Sequence, residues 1–138
     1  MEKLNAYHAI RKRRLMYVKD NEVASEVVLS LLIKNFLCYK IAEFNVMRTD
    51  ELIVVRTNTD WMSFSDESID DVFSYIISHK NFPPNSMRAE VLLPALEIDY
   101  YTTGLLGDSG NKELLFKADS AFGNKLMLDK GRWLIFES

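Results

Sequence analysis

The clearest pattern of apolar and polar positions in the chain lies at residues 69–79. Its apolar residues have the i, i+3, i+4, i+7, i+8 spacing of one helix face: Ile69, Val72, Phe73, Ile76 and Ile77. Acidic residues fill the first turn, where they complement the helix dipole, and a His-Lys pair stands at the end. The pattern predicts an amphipathic helix over residues 69–79 that begins after a serine cap.

Two helices are predicted before it. Residues 22–36 are apolar on most of their helical surface, and their polar residues recur every four positions: Glu22, Glu26, Ser30 and Lys34. A helix with a single narrow polar stripe is largely buried, so this segment is predicted to be a core helix. Residues 5–19 have a looser helical pattern, and asparagines stand at the cap positions of both helices.

Runs of β-branched and aromatic residues predict strands in the rest of the chain. Residues 52–55 are apolar on both faces, which is typical of a central strand covered on both sides. The predicted strands are residues 38–47, 52–57, 96–103, 112–118 and 126–136. Residues 86–97 fit either a helix or a strand, and Pro94 would end or kink a helix there.

The predicted element order is therefore α-α-β-β-α-β-β-β. Consecutive strands joined by short turns favour an antiparallel meander, and the helices must cover one of its faces. The sequence predicts an α+β fold, in which a curved antiparallel sheet of about five strands packs against two to three helices. Since the 138 residues contain no repeat and no Gly/Pro/Ser linker, we expect a single domain over residues 1–138.

Composition limits where the protein works. The chain has one cysteine, Cys38, so an intramolecular disulfide is impossible and a reducing compartment fits best. The longest apolar run, residues 27–33, is far shorter than the roughly 20 residues of a membrane span. The first residues lack the apolar segment of a secretory signal. We therefore expect a cytoplasmic protein without a membrane partner.

Motifs for catalysis or metal binding are absent from the sequence. His8, His79 and Cys38 do not have zinc-site spacing, and the five glycines fall in predicted turns rather than in a phosphate-binding loop. Asp66 and Asp70 are i, i+4 neighbours that could bind a cation or divide acid and base roles, but a solvated first helical turn that complements the helix dipole is the favoured explanation. We expect no metal, no cofactor and no enzymatic activity.

Charge is distributed unevenly along a chain whose net charge is −3. Residues 1–48 carry +4, residues 49–110 carry −8 and residues 111–138 carry +1. The basic run at residues 11–14 could contact phosphate, but no second basic patch accompanies it, so we expect no nucleic-acid partner. The acidic middle segment either keeps the protein soluble or steers a basic partner towards it.

The loop at residues 57–64 places aromatic side chains among acids. Aromatic anchors ringed by charge are typical of interface hot spots, although such side chains can also staple a loop to the next helix. The predicted partner-binding residues are Asp60, Trp61, Asp66, Glu67, Asp70 and Asp71. They favour a small protein-binding domain that holds and neutralises a basic protein, as a bacterial immunity protein does with a nuclease toxin.

Two other functions fit the same sequence. The element order resembles the nuclear-transport-factor-like cone fold, in which helices and a bent antiparallel sheet enclose a pocket. That resemblance implies a small-molecule-binding or enzymatic domain. The second alternative is a homo-oligomeric structural subunit joined through an exposed strand edge.

Overall fold

The protein is described here as a computed structural model that covers residues 4–5, 7–64, 67–83, 86–122 and 131–138. The chain falls into two compact units. Unit 1 comprises residues 1–42 and 70–98, and unit 2 comprises residues 43–69 and 99–138. Each unit is therefore built from two separate stretches of chain, while the expectation of one domain over residues 1–138 stays a prediction.

The described part of the chain contains both helices and strands. Its six α-helices are α1 (Tyr7–Lys12), α2 (Arg14–Tyr17), α3 (Ala24–Cys38), α4 (Ile69–Val72), α5 (Leu92–Ala95) and α6 (Glu113–Phe122). Its seven strands are β1 (Leu4–Asn5), β2 (Phe44–Arg48), β3 (Leu52–Thr57), β4 (Tyr75–Ile76), β5 (Tyr100–Gly104), β6 (Ser109–Gly110) and β7 (Arg132–Glu137). None of the described helices is both long enough and apolar enough to cross a membrane. The predicted α+β class is confirmed.

Unit 2 contains a five-stranded antiparallel sheet with the strand order β2-β3-β7-β5-β6. Strand β3 lies between β2 and β7. Its first four residues are all buried, so both of its faces are covered, as its apolar sequence predicts. Thr49 closes the β2–β3 turn, because its Oγ1 accepts the backbone N–H of Leu52 at 3.0 Å. The antiparallel sheet of about five strands is thus confirmed.

Helix α6 covers one face of this sheet. Leu114, Leu115 and Ala118 pack with buried side chains from β3, β5 and β7: Leu52, Val54, Tyr101, Trp133 and Ile135. The prediction of a strand at residues 112–118 is wrong, since these apolar positions form one helical face. Asn111 supports the helix start, because its Oδ1 accepts the backbone N–H of Glu113 at 3.1 Å. The short strand β6 takes the fifth place in the sheet instead.

Unit 1 is organised around α3, which confirms the predicted core helix with a shift of two residues at each end. Val28, Leu32 and Phe36 on its inner face are completely buried. The predicted first helix is present as the two shorter helices α1 and α2. Arg11 links α1 to α5, because its Nε donates to the carbonyl oxygen of Ala95 at 2.9 Å.

The predicted helix over residues 69–79 is wrong beyond its first turn. Helix α4 ends at Val72, and β4 then pairs with β1 in a two-stranded antiparallel sheet. The backbone in this stretch bonds to distant residues: the Tyr7 hydroxyl donates to the Phe73 carbonyl at 2.6 Å, and the Arg88 N–H donates to the Ile77 carbonyl at 2.8 Å. These partners replace the hydrogen bonds of a continuous helix.

Three other boundaries also differ from the predictions. Cys38 ends α3, so the strand predicted from residue 38 begins only at Phe44. The ambiguous residues 86–97 contain the short helix α5, and the next strand starts at Tyr100. Of the predicted last strand, residues 132–136 lie in β7, while residues 126–130 lie outside the described residues.

Candidate functional site

Asp60, one of the predicted partner-binding residues, is held inside unit 2 by Arg132. Arg132 is 0% exposed and Asp60 is 8% exposed. The arginine Nε donates to Asp60 Oδ1 at 2.9 Å and Nη2 donates to Oδ2 at 2.7 Å, which makes a bidentate pair. The backbone N–H groups of Met62 and Leu106 donate to the same carboxylate at 3.1 and 3.3 Å. Both carboxylate oxygens are thus engaged within the unit.

Arg132 also reaches two further groups. Its Nη1 donates to the carbonyl oxygen of Gly107 at 2.7 Å and to the Thr102 hydroxyl at 3.3 Å. The Thr102 hydroxyl in turn donates to the carbonyl oxygen of Trp133 at 2.6 Å. One guanidinium therefore ties two loops, at residues 60–62 and 104–107, to the start of β7, and we call this set the arginine clamp. Its geometry is that of a structural anchor.

The other predicted site residues are dispersed. Trp61 is 0% exposed and Glu67 is 8% exposed, so both are buried in the folded chain. Asp66 lies outside the described residues. Asp70 and Asp71 stand in α4; Asp70 is exposed and Asp71 is half-buried. Because residues 43–69 belong to unit 2 and Asp70 and Asp71 to unit 1, the predicted set is not drawn from one unit. Its role in partner binding stays a prediction.

The net charge of each compact unit differs from the net charge of the sequence segments, of which residues 49–110 are the most acidic. Unit 1 holds ten Lys/Arg and eight Asp/Glu, so its net charge is +2. Unit 2 holds seven Lys/Arg and twelve Asp/Glu, so its net charge is −5. The acidic character of the protein therefore belongs to unit 2, including parts of the chain outside the acidic segment.

Four carboxylates come together at one end of the sheet of unit 2. We call this group the acidic sheet end: Asp50, Glu51, Asp99 and Glu137. The first two directly precede β3, Asp99 directly precedes β5, and Glu137 is the last residue of β7. Since β7 runs antiparallel to both neighbours, its end lies beside the starts of β3 and β5. The register places Glu137 opposite Leu52, next to Glu51.

Hydrogen bonds fix the backbone around these carboxylates. The N–H and hydroxyl of Ser138 donate to the carbonyl oxygens of Glu51 and Asp50 at 3.0 and 2.6 Å. The N–H of Asp99 donates to Glu137 Oε1 at 3.3 Å, and Asn111 Nδ2 donates to Asp99 Oδ2 at 2.7 Å. The backbone that carries the four carboxylates is thus held by hydrogen bonds within unit 2.

The acidic sheet end remains open to solvent. Asp50, Glu51 and Glu137 are exposed and Asp99 is half-buried. Asp50, Glu51 and Glu137 border a depression of about 400 Å³, where Lys117 is a single cation among them. Within the described residues, no group of three or more His, Cys, Asp or Glu side chains is arranged to hold a metal ion. The arrangement suits cationic side chains of a partner.

Asp108, another carboxylate of unit 2, holds the loop after β5 through hydrogen bonds. Asp108 accepts the Thr103 hydroxyl at 2.6 Å and the Tyr101 hydroxyl at 3.0 Å. The Thr103 hydrogen bond, with help from Tyr101 and Arg132, lowers the pKa of Asp108 below its ordinary value of 3.8. Burial, followed by the hydrogen bond to Asp108, raises the pKa of Tyr101 above 10.0.

Asp108→Asn should destabilise unit 2 in a pH-dependent way. Because folding lowers the pKa of Asp108, its carboxylate contributes stability above pH 3.8, and this contribution is lost as the pH falls below that value. The wild type should therefore be more stable than Asp108→Asn at neutral pH, and the difference should shrink in acid. Urea unfolding at about pH 7 and about pH 3 measures this difference. A difference of the same size at both pH values would contradict the assignment.

Comparisons with protein families, with curated proteins and with solved structures gave no match for this chain.

Proposed function

We propose that this protein is a small protein-binding domain that holds a basic protein through the acidic sheet end. The observation that supports the proposal is the gathering of Asp50, Glu51, Asp99 and Glu137 by strand register, on a unit with a net charge of −5. Charge complementarity of this kind accelerates association and discriminates between partners. Because hydrogen-bonded backbone presents the carboxylates, binding orders little of the chain.

We further propose that the bound protein is a nuclease toxin and that binding neutralises it. A nuclease must direct lysine and arginine side chains at the phosphates of its substrate. A protein that offers carboxylates to those cations competes directly with the nucleic acid. In this role the chain is a bacterial immunity protein that acts in the cytoplasm, and it binds its partner rather than catalysing a reaction.

Charge reversal at the acidic sheet end should weaken binding of a basic partner. We expect Asp50→Lys/Glu51→Lys to bind a fluorescent arginine peptide of about ten residues at least about tenfold more weakly than the wild type at low salt. Fluorescence anisotropy measures the affinity. The matched control is Asp70→Lys/Asp71→Lys, which changes the net charge equally in unit 1 and should alter the affinity by no more than about twofold.

The two double variants also separate the site proposed here from the one that the sequence predicts. A larger loss with Asp70→Lys/Asp71→Lys would place the binding surface on α4, and equal losses would show only an effect of total charge. The immunity role needs a second test: a nuclease encoded by a neighbouring gene is sought and purified, and the absence of such a gene would contradict this role. The wild type should inhibit DNA cleavage by this nuclease stoichiometrically, while Asp50→Lys/Glu51→Lys should not. Equal inhibition by both proteins would contradict the proposal.

A further inference from the structure

Unit 1 contains an apolar groove of about 760 Å³. One wall is a stripe of α3 formed by Val27, Leu31, Lys34 and Cys38, which are spaced i, i+4, i+7 and i+11. At 1.5 Å per residue this stripe is about 16 Å long, or three helical turns. Met16 of α2 and the segment that contains Phe82 provide other parts of the lining. The groove thus has the length of a short helix.

The rim of the groove exposes large apolar side chains. Met16 and Leu37, which line it, are 72% and 66% exposed. Leu15, beside Met16, is 65% exposed, and Val23, one turn before Val27, is 60% exposed. A concentration of exposed apolar side chains marks an interaction surface. A helix laid along the groove would cover the exposed side chains of Met16 and Leu37.

The charge of the groove favours an acidic occupant. Lys34 is the only charged side chain among the described residues that line it. Arg13 and Arg14 are exposed at the start of α2, close in sequence to Met16, and unit 1 carries a net charge of +2. An apolar surface with Lys34 in its lining complements a helix that has apolar anchors and carboxylates next to them.

We infer that the groove of unit 1 is a docking site for an amphipathic helix of a partner protein, with acidic residues flanking its apolar face. The inference does not depend on the proposed function, because the groove belongs to the other unit and takes a ligand of the opposite charge. A helix of about three turns supplies anchors at i, i+3 or i+4, and i+7, which matches the three turns of α3 along the groove.

Cys38 provides a direct probe of occupancy, because it is the single cysteine of the chain and lines the groove with its side chain partly exposed. The ligand is a helical peptide of about eighteen residues with leucines on one face and glutamates beside them. The matched peptide has lysine at every glutamate position. The rate of Cys38 alkylation by iodoacetamide is measured against peptide concentration. The glutamate peptide should slow alkylation at least about fivefold at saturation, and should bind at least about threefold more tightly than the lysine peptide.

Surface variants then locate the binding without affecting the core. Lys34→Glu should reverse the preference between the two peptides, while Lys40→Glu, an exposed lysine outside the groove lining, should leave it unchanged. Leu37→Glu should weaken binding of the glutamate peptide by about tenfold, since it places a charge where an apolar contact is needed. Leu37 is already 66% exposed, so the variant should fold like the wild type.

Four results would each overturn the inference. They are no protection of Cys38 by the glutamate peptide, equal binding of the glutamate and lysine peptides, identical effects of Lys34→Glu and Lys40→Glu, and unchanged binding by Leu37→Glu. Protection by dodecanoate, under conditions where the glutamate peptide gives none, would assign the groove to a small anionic amphiphile instead.

Discussion

Asp60→Ala should lower the free energy of unfolding of unit 2 by about 3–5 kcal/mol. The substitution leaves the Arg132 guanidinium charged and completely buried, without the carboxylate that receives its Nε and Nη2 hydrogen bonds. It also removes the acceptor of the Met62 and Leu106 N–H groups. Both tryptophans, Trp61 and Trp133, lie in unit 2, so urea unfolding followed by tryptophan fluorescence reports this unit directly.

Two further variants make this result specific. Asp50→Ala removes an exposed carboxylate of the same unit and should change the free energy of unfolding by no more than about 0.5 kcal/mol. Asp60→Ala/Arg132→Met removes both charges and should be more stable than Asp60→Ala alone, because no buried charge is left without its partner. A cost below about 1 kcal/mol for Asp60→Ala would show that the arginine clamp does not hold the two loops.

The arginine clamp explains why Asp60 resembles a surface acid in the sequence. Its counter-ion is separated from it by 72 residues along the chain, so local pattern shows only a charged loop residue beside an aromatic one. Trp61 is ambiguous in the same way, since a buried loop tryptophan and an interface tryptophan have the same sequence signature. Only the tertiary fold distinguishes a carboxylate used for folding from one that is free for a partner.

The acidic sheet end was missed for a different reason. The sequence places Asp50 and Glu51 correctly in the turn before β3, and it predicts strands near Asp99 and Glu137. What it does not supply is the strand order β3-β7-β5, which brings residues far apart in the chain to one end of the sheet. Carboxylates that flank predicted strands are a signal that could have been used, but their grouping depends on non-local pairing.

The local sequence pattern predicted an element correctly where all of its apolar residues are buried for the same reason. Strand β3 has the predicted bounds, because its doubly apolar run belongs to a central strand. The same reasoning failed at residues 69–79, where Val72, Phe73 and Ile77 are buried at helical spacing although the chain leaves the helix after Val72. Burial creates an apolar pattern whatever the backbone does, and distant hydrogen-bond partners decide its conformation.

A second buried ion pair, in unit 1, provides the other large stability prediction. Arg88 and Glu90 are both 0% exposed, and Glu90 Oε2 lies 2.9 Å from Arg88 Nε and 2.8 Å from Nη2. The guanidinium also stands 5.9 Å from the centre of the Tyr39 ring. Among the described residues, Glu90 Oε1 has no hydrogen-bond partner, so the desolvation of this carboxylate is only partly offset.

Arg88→Met should therefore cost about 3–5 kcal/mol, because it leaves the Glu90 carboxylate buried without its counter-ion. Adding Glu90→Leu should restore most of that loss and can make the double variant as stable as the wild type, since apolar side chains carry no desolvation penalty. Far-UV circular dichroism in urea follows the change, because α3, the longest described helix, lies in unit 1. The exposed control Arg13→Met should shift stability by no more than about 0.5 kcal/mol. A double variant less stable than Arg88→Met would mean that a group other than Arg88 stabilises Glu90. The stability of unit 1 would then not depend on the Arg88–Glu90 ion pair.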